Sequence, residues 1–101
     1  MHDKYLTTER LRELLVDFKK YHGADYHLRT LGYFGSYARN AATPTSDIDI
    51  VFDTDYPNLF MTAMMKQDLE EMLGCSVDVV QLRGLTNQRL KARIEKEAEY
   101  V

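Results

Sequence analysis

Cysteine, proline and tryptophan are nearly absent from this sequence, and it has no long apolar run. Its one cysteine, Cys75, cannot form a disulfide within the chain, which favours a reducing compartment such as the cytoplasm. No apolar segment approaches the ~20 residues that a membrane-spanning helix requires. Residues 1–5 do not have the pattern of a secretion signal. These absences argue against a secreted, disulfide-bonded or membrane-spanning protein.

An excess of positive charge is also lacking. The 13 basic and 16 acidic residues give a net charge of −3, which argues against broad binding of nucleic acid. Hydrophobic residues make up 45% of the 101 residues, so the composition predicts one folded domain over residues 1–101. The three histidines, His2, His22 and His27, do not have the spacing of metal ligands. We expect them at the surface or half-buried.

Two aspartates, Asp47 and Asp49, open the second predicted strand, residues 48–53. Successive side chains of a strand point to opposite faces, so the two carboxylates share one face, with Cα atoms roughly 6.5 Å apart. Carboxylates at that spacing can bind hard cations such as Mg²⁺, and two ions about 4 Å apart can assist a phosphoryl displacement. Ile48 and Ile50 point the other way, so one face is assigned to chemistry and the other to packing.

A Gly-Ser pair, Gly35 and Ser36, follows the first predicted strand, residues 26–34. Glycine lets the backbone approach a ligand closely. Ser36 offers a hydroxyl and an N–H at the start of a short helix predicted over residues 36–42, where the helix dipole favours anions. Ten residues, 37–46, separate this pair from Asp47. Each half alone is an ordinary strand end, but together they indicate a site for a metal-bound triphosphate.

This spacing resembles the signature of the polymerase-beta-type nucleotidyltransferases, which is Gly-Ser, ten residues, then Asp-x-Asp. The fuller form here, GSYARN followed by SDIDI, is similar to the minimal nucleotidyltransferases. These small proteins are often the antitoxin partner of a HEPN-domain toxin. The residue after Arg39 is usually glycine in this family and is Asn40 here. Asparagine tolerates left-handed backbone better than most residues, so we expect the turn to be kept.

The resemblance implies a fold and a set of roles. The fold is α/β (α+β), a small mixed β-sheet with helices packed on one face and the acidic site on the other. Asp47 and Asp49 would bind two Mg²⁺ ions, and Gly35 and Ser36 would hold the triphosphate of ATP. Arg39 lies one turn after Ser36. It would support the phosphates or the loop, or else pair with a loop carboxylate.

A third acid, Asp78, interrupts an apolar segment, residues 76–80, that is predicted to be the third strand. An acid in such a segment is costly unless it is paired or metal-bound. By the resemblance, Asp78 completes the catalytic and metal-binding set. The other interpretation is a solvent-facing residue on a half-exposed strand. Asp53 and Asp55 lie farther along the second strand and are interpreted as exposed residues that bind no metal.

Three longer helices complete the predicted order of helix, strand, helix, strand, helix, strand, helix. The first begins after Thr7 or Thr8 and ends at Gly23. The third opens at residues 57–58 and ends at residue 74, and the last begins after residue 86 or 87. The last helix has a thin apolar stripe and many charged residues, so it is expected to dock lightly or to meet a partner. The first two strands are expected to be antiparallel neighbours.

The favoured function, by the resemblance, is transfer of AMP from ATP to a tyrosine of a HEPN-type toxin, with release of pyrophosphate. The alternative is an inactive module of the same fold that neutralises its partner by occlusion. Transfer to a small molecule is disfavoured, because such relatives generally carry extra domain mass for the acceptor. In a chain this short, the walls of an acceptor pocket must come from a second copy or from a partner protein.

Overall fold

The computed structural model describes residues 6–101. The predictions for residues 1–5 and for His2 lie outside the described residues. The described part contains three helices and four strands, in the order α1 (Thr8–His22), β1 (Leu28–Phe34), β2 (Ile48–Thr54), α2 (Leu59–Leu73), β3 (Val77–Gln81), α3 (Gln88–Glu97) and β4 (Glu99–Tyr100). None of these helices is long and apolar enough to cross a membrane.

The four strands form one mixed sheet in the order β3-β2-β1-β4. β1 runs antiparallel to β2 and to β4, and β2 runs parallel to β3. The predicted antiparallel pairing of the first two strands is therefore confirmed. β4 was not predicted, because two residues are too few to show an alternating pattern.

One face of the sheet carries the main core. It is built from the inward side chains of β1 and β2, such as Leu31, Ile48, Ile50 and Phe52, and from the apolar stripes of α1 and α2. Tyr33 is 4% exposed and belongs to this core. Complete burial of one such large side chain stabilises a fold by roughly 1.5–3 kcal/mol.

The other face carries a smaller cluster. Val51 alternates with Ile50 and Phe52 and so points away from the main core, where it packs with Phe34 and Ile94. α3 therefore covers the face that also carries Asp49. The mixed sheet and the α+β class are confirmed, but α3 differs from the expected arrangement, since it lies beside the acidic site rather than behind the sheet.

The predicted short helix over residues 36–42 is reduced to a single helical turn. Asn40 has a φ of +60°, and the N–H of Ala41 bonds to the carbonyl of Ser36 while the N–H of Asn40 bonds to that of Tyr37. This 6→1 and 5→2 pattern is a Schellman motif, which ends a helix with one left-handed residue. Asn40 occupies the position where glycine is commonest, so the expectation that asparagine keeps the turn is confirmed.

Side-chain caps begin the three helices where the sequence indicated. Thr7, Asn58 and Asn87 each accept a hydrogen bond from a backbone N–H of the first turn. Left-handed Gly74 ends α2. β1 begins at Leu28 instead of residue 26, because His27 has a φ of +53° and cannot continue an extended strand.

Candidate active site

Gly35 and Asp49 meet at the edge of the acidic site. Phe34 pairs with Asp49 across β1 and β2, which brings the following residue, Gly35, over the Asp49 carboxylate. Gly35 has a φ of +75°, and a Cβ atom built on it would collide with Asp49 Oδ2. The backbone angle therefore strains any side chain at this position, and a Cβ would require the Asp49 carboxylate to move. The close approach that the Gly-Ser pair predicted is made, in this structure, to a carboxylate.

Asp78 lies beside Asp49. The two residues are register partners in the parallel pair of β2 and β3, and neighbouring strands are about 4.8 Å apart. Asp47 precedes β2 and is exposed. Its loop is held by a hydrogen bond from the N–H of Thr43 to Ser46 Oγ (2.8 Å). The three predicted carboxylates thus come from one loop end and two adjacent strands on one side of the sheet.

The pKa of Asp49 reports the crowding of charge at this point. Burial raises the pKa of the Asp49 carboxyl, and the nearby charge of Asp78 and, less strongly, of Asp47 raises it further. The charges of Arg93 and Arg39 oppose this rise. Two arginines therefore lie close enough to the acidic group to offset part of its repulsion. Such an arrangement is unfavourable for folding alone, as is typical of a site built for a cation.

The donor set fits magnesium chemically. All three side chains offer carboxylate oxygens, the ligands that Mg²⁺ prefers, and the substrate phosphates supply further oxygens. Within residues 6–101, however, no three histidine, cysteine or acidic side chains are close enough together to hold a metal ion. The predicted metal-binding role of Asp47, Asp49 and Asp78 stays a prediction.

Ser36 and Arg39 lie in the helical turn after Gly35. Within the described residues, the Ser36 hydroxyl has no hydrogen-bond partner, so it is available to a ligand. Arg39 Nη1 lies 3.0 Å from Glu97 Oε1. The structure thus shows Arg39 paired with a carboxylate, which comes from the end of α3 and not from a loop. Its predicted support of phosphate stays a prediction.

Two charged residues of α3, Arg93 and Glu97, were missed as members of this site. Glu97 Oε1 accepts hydrogen bonds from the N–H of Gly35 (3.0 Å) and from Arg39 and Arg93. The two residues are four apart on either side of buried Ile94, so they flank the part of α3 that faces the sheet. The sequence offered this spacing as a signal, but it did not indicate which face of the sheet α3 would cover.

The remaining polar candidates take no part in the site. Cys75 is half-buried, and burial, together with the charge of Asp47, raises the pKa of its thiol, which disfavours the reactive thiolate. Asp53 pairs with Arg83 and Asp55 with Arg29, both away from the Asp49 end of β2. His22 is exposed and lies beside Asp25.

Residues 10–101 match the model of the nucleotidyltransferase domain family. The chain belongs to this family and is a nucleotidyltransferase. The protein adenylyltransferase MntA of Thermococcus cleftensis is 34% identical over 97 residues, which are 95% of this chain and 97% of that protein. A solved structure described as a minimal nucleotidyltransferase is 31% identical and superposes with a TM-score of 0.79, over 96% of this chain and 98% of the other.

A more distant likeness shares the fold. The complex of a tri-AMPylated HEPN toxin of Shewanella oneidensis with its MNT antitoxin contains a chain that is 22% identical, with a TM-score of 0.60. The match covers 97% of this chain and 71% of that one. The predicted nucleotidyltransferase-like core is thereby confirmed.

Proposed function

We propose that this protein transfers AMP from ATP to a tyrosine hydroxyl of a HEPN-type toxin and acts as its antitoxin. The observation that carries the proposal is the placement of the Gly35–Ser36 turn directly against Asp49, with Asp78 as the register partner of Asp49. In this proposal the turn binds phosphate and the carboxylates beside it bind metal. The adenylyltransferase name of the relative from Thermococcus cleftensis and the AMPylated toxin in the distant complex support the choice of donor and acceptor.

In this proposal, the hydroxyl and the basic side chains of the site contact the phosphates, and the acidic side chains bind metal. The Ser36 hydroxyl donates a hydrogen bond to the triphosphate, and Arg39 and Arg93 place positive charge beside it. Asp47, Asp49 and Asp78 would hold two Mg²⁺ ions, which activate the attacking oxygen and stabilise the leaving group. The tyrosine oxygen attacks the α-phosphorus, the bond from that phosphorus to the bridging oxygen breaks, and pyrophosphate leaves. The phenolic proton passes to a carboxylate or to water.

The acceptor tyrosine explains why one small domain can silence a nuclease. AMP on that tyrosine would add a charged and bulky group where RNA must bind, so the toxin would be blocked by repulsion and by obstruction. The partner would also supply the acceptor side of the pocket. Both proteins would act in the cytoplasm, the compartment that the single cysteine favours.

Intact-mass spectrometry of the toxin tests the proposal. A purified HEPN-type toxin is incubated with this protein, ATP and Mg²⁺. We expect one or more AMP groups on the toxin, and none with Asp47→Asn or Asp49→Asn. Asp53→Asn is the matched control, because it removes the same charge from the same strand outside the site and should modify the toxin as the parent does.

Two outcomes would count against AMP transfer. A toxin that stays unmodified and is nevertheless silenced would leave the alternative, an inactive module that acts by occlusion. Equal modification by the Asp49→Asn variant would show that chemistry occurs elsewhere on the chain.

A further inference from the structure

Three groups of the site donate hydrogen bonds to the Glu97 carboxylate. It accepts the N–H of Gly35 at 3.0 Å, Arg39 Nη1 at 3.0 Å and Arg93 Nη2 at 3.4 Å. Its side chain is only 16% exposed, whereas the two arginines are about half exposed. Glu97 therefore lies behind the turn, and the arginines lie between it and solvent.

The hydrogen bond from the Gly35 amide to Glu97 is a second contact that fixes the turn. The Asp49 carboxylate already lies against the Cα of Gly35, and Glu97 now holds the amide of the same residue. This amide is consequently not available to a phosphate. The ligand must use the next group along, the Ser36 hydroxyl, and the orientation of Ser36 depends on the peptide that Glu97 holds.

The contact with the arginines orients charge without removing it. A guanidinium has five N–H donors in a rigid fork, so Arg39 can bond to Glu97 and still present other donors to an anion. One carboxylate opposes two guanidinium charges, so a net positive charge is left beside the site. The pKa of Glu97 agrees with this arrangement. Burial alone would raise it, but the Gly35 hydrogen bond and the two arginines lower it, so the group is ionised at neutral pH.

β4 holds Glu97 in place. It follows α3 after one residue and pairs with Gly32 and Tyr33 of β1. A Cβ on Gly32 would collide with the carbonyl of Glu99, so the glycine permits this close pairing. The N–H of Val101 then bonds to the carbonyl of Leu31 at 2.9 Å. The backbone that follows Glu97 is thus hydrogen-bonded to β1, the strand that leads into Gly35.

We propose that Glu97 is a positioning residue for the triphosphate, which acts through the Gly35 amide and the two arginines and does not touch the substrate. This inference deepens the proposed function and rests on ATP being the nucleotide. It predicts that loss of Glu97 weakens the binding of Mg-ATP and leaves recognition of the acceptor unchanged.

Calorimetry with Mg-ATP on three variants tests the role of Glu97. Glu97→Ala removes both functions and should raise the Kd by about 10- to 100-fold, the range for lost hydrogen bonds to a charged group. Glu97→Gln keeps an acceptor for the Gly35 amide but loses the charge, so its Kd should lie between those of the parent and Glu97→Ala. Glu95→Gln, an equal change at an exposed position of the same helix, should bind as the parent does.

Binding is measured at a temperature where thermal melts show each variant to be fully folded, so lowered stability alone cannot raise the Kd. If Glu97→Ala does not fold, Glu97→Gln decides. An unchanged Kd for folded Glu97→Gln, or an equal rise for Glu95→Gln, would overturn the proposal. In steady state, the KM for ATP should rise while the KM for the toxin stays constant, and a rise in both would also overturn it. Calorimetry needs no acceptor, so a failure of toxin modification in the parent leaves this test intact.

Discussion

At the scale of single residues, the site depends on side chains that are small or unusually placed. Gly35 has no room for a Cβ, Ser36 carries a hydroxyl without a partner in the described part of the chain, and Asn40 takes a left-handed conformation. Each of these would look unremarkable in a composition table. Their value lies in where the backbone places them: Gly35 lies against Asp49, and Ser36 and Asn40 belong to the turn that follows it.

Ser36→Ala should weaken the use of ATP and leave the fold intact, because only an unpaired hydroxyl is lost. A loss of about 1–3 kcal/mol would suit a hydrogen bond to a charged phosphate. The rate of toxin modification at limiting ATP measures this loss. Thr45→Ala, which removes a hydroxyl and a methyl group at an exposed position, serves as the control. A parent-like rate for Ser36→Ala would remove Ser36 from the phosphate site.

Asn40→Ala should destabilise the protein by about 1 kcal/mol, since alanine lacks the local hydrogen bonding that lets asparagine take a left-handed φ. Asn40→Gly should be as stable as the parent within a few tenths of a kcal/mol and should keep its activity. Urea unfolding of the three proteins measures the difference. Equal stability of the alanine variant would mean that the turn is not held in the left-handed conformation in solution.

At the scale of elements, β4 and α3 complete a site whose motif lies in the first half of the chain. Gly32→Ala should push β4 away from β1, because the new Cβ would collide with the carbonyl of Glu99. Glu97 would then lose its hold on Gly35, so we expect a rise in the Kd for Mg-ATP although Gly32 lies outside the motif. Calorimetry at a temperature where the variant is folded measures the effect.

Gly74→Ala, at the end of α2, is the control for Gly32→Ala. Gly74 has a φ of +73° and no neighbouring atom within 4 Å of a built Cβ, so alanine strains the end of α2 and touches nothing in the site. Its stability should fall by about 1 kcal/mol, with an unchanged Kd. If both glycine variants bind Mg-ATP as the parent does, β4 does not support the turn at Gly35 and Ser36.

The sequence predicted those parts of the fold that local pattern specifies. Alternation gave β2 and the opposite faces of Ile50 and Asp49, and turn chemistry gave the caps at Thr7 and Asn58. It did not give the support from Glu97, which joins Gly35 to a residue 62 positions later, or β4, which pairs with β1 across a similar separation. The predicted helix over residues 36–42 is reduced to one turn for a related reason. A single turn is specified by its closing hydrogen bonds and not by a repeating pattern.

At the scale of the whole molecule, the site is a compromise between stability and ligand binding. The carboxylates of Asp49 and Asp78 are neighbours, and burial and this repulsion raise the pKa of Asp49. The folded protein without a cation therefore holds an unfavourable charge. A ligand that bridges these groups should recover stability for the entire domain.

Mg-ATP should accordingly raise the melting temperature. At about 100 times its Kd, the ligand adds about 2.7 kcal/mol of stability, which corresponds to several degrees or more in a domain of this size. Asp49→Asn should abolish this gain. Without ligand, it should be at least as stable as the parent, because it removes the repulsion. Asp53→Asn should retain the full shift. Thermal melts with and without Mg-ATP measure both effects, and a full shift in Asp49→Asn would contradict the assigned site.

The hydrogen bond between Gly35 and Glu97 can form only late in translation. The turn at Gly35 and Ser36 emerges from the ribosome before Glu97, the residue 62 positions later that accepts the Gly35 amide, has been made. A nascent chain can form α1, β1 and β2 from local and hairpin contacts, yet its turn stays unsupported until residues 97–101 have emerged. A ribosome that stalls before residue 97 would therefore release a chain without the carboxylate that accepts the Gly35 amide and both arginines.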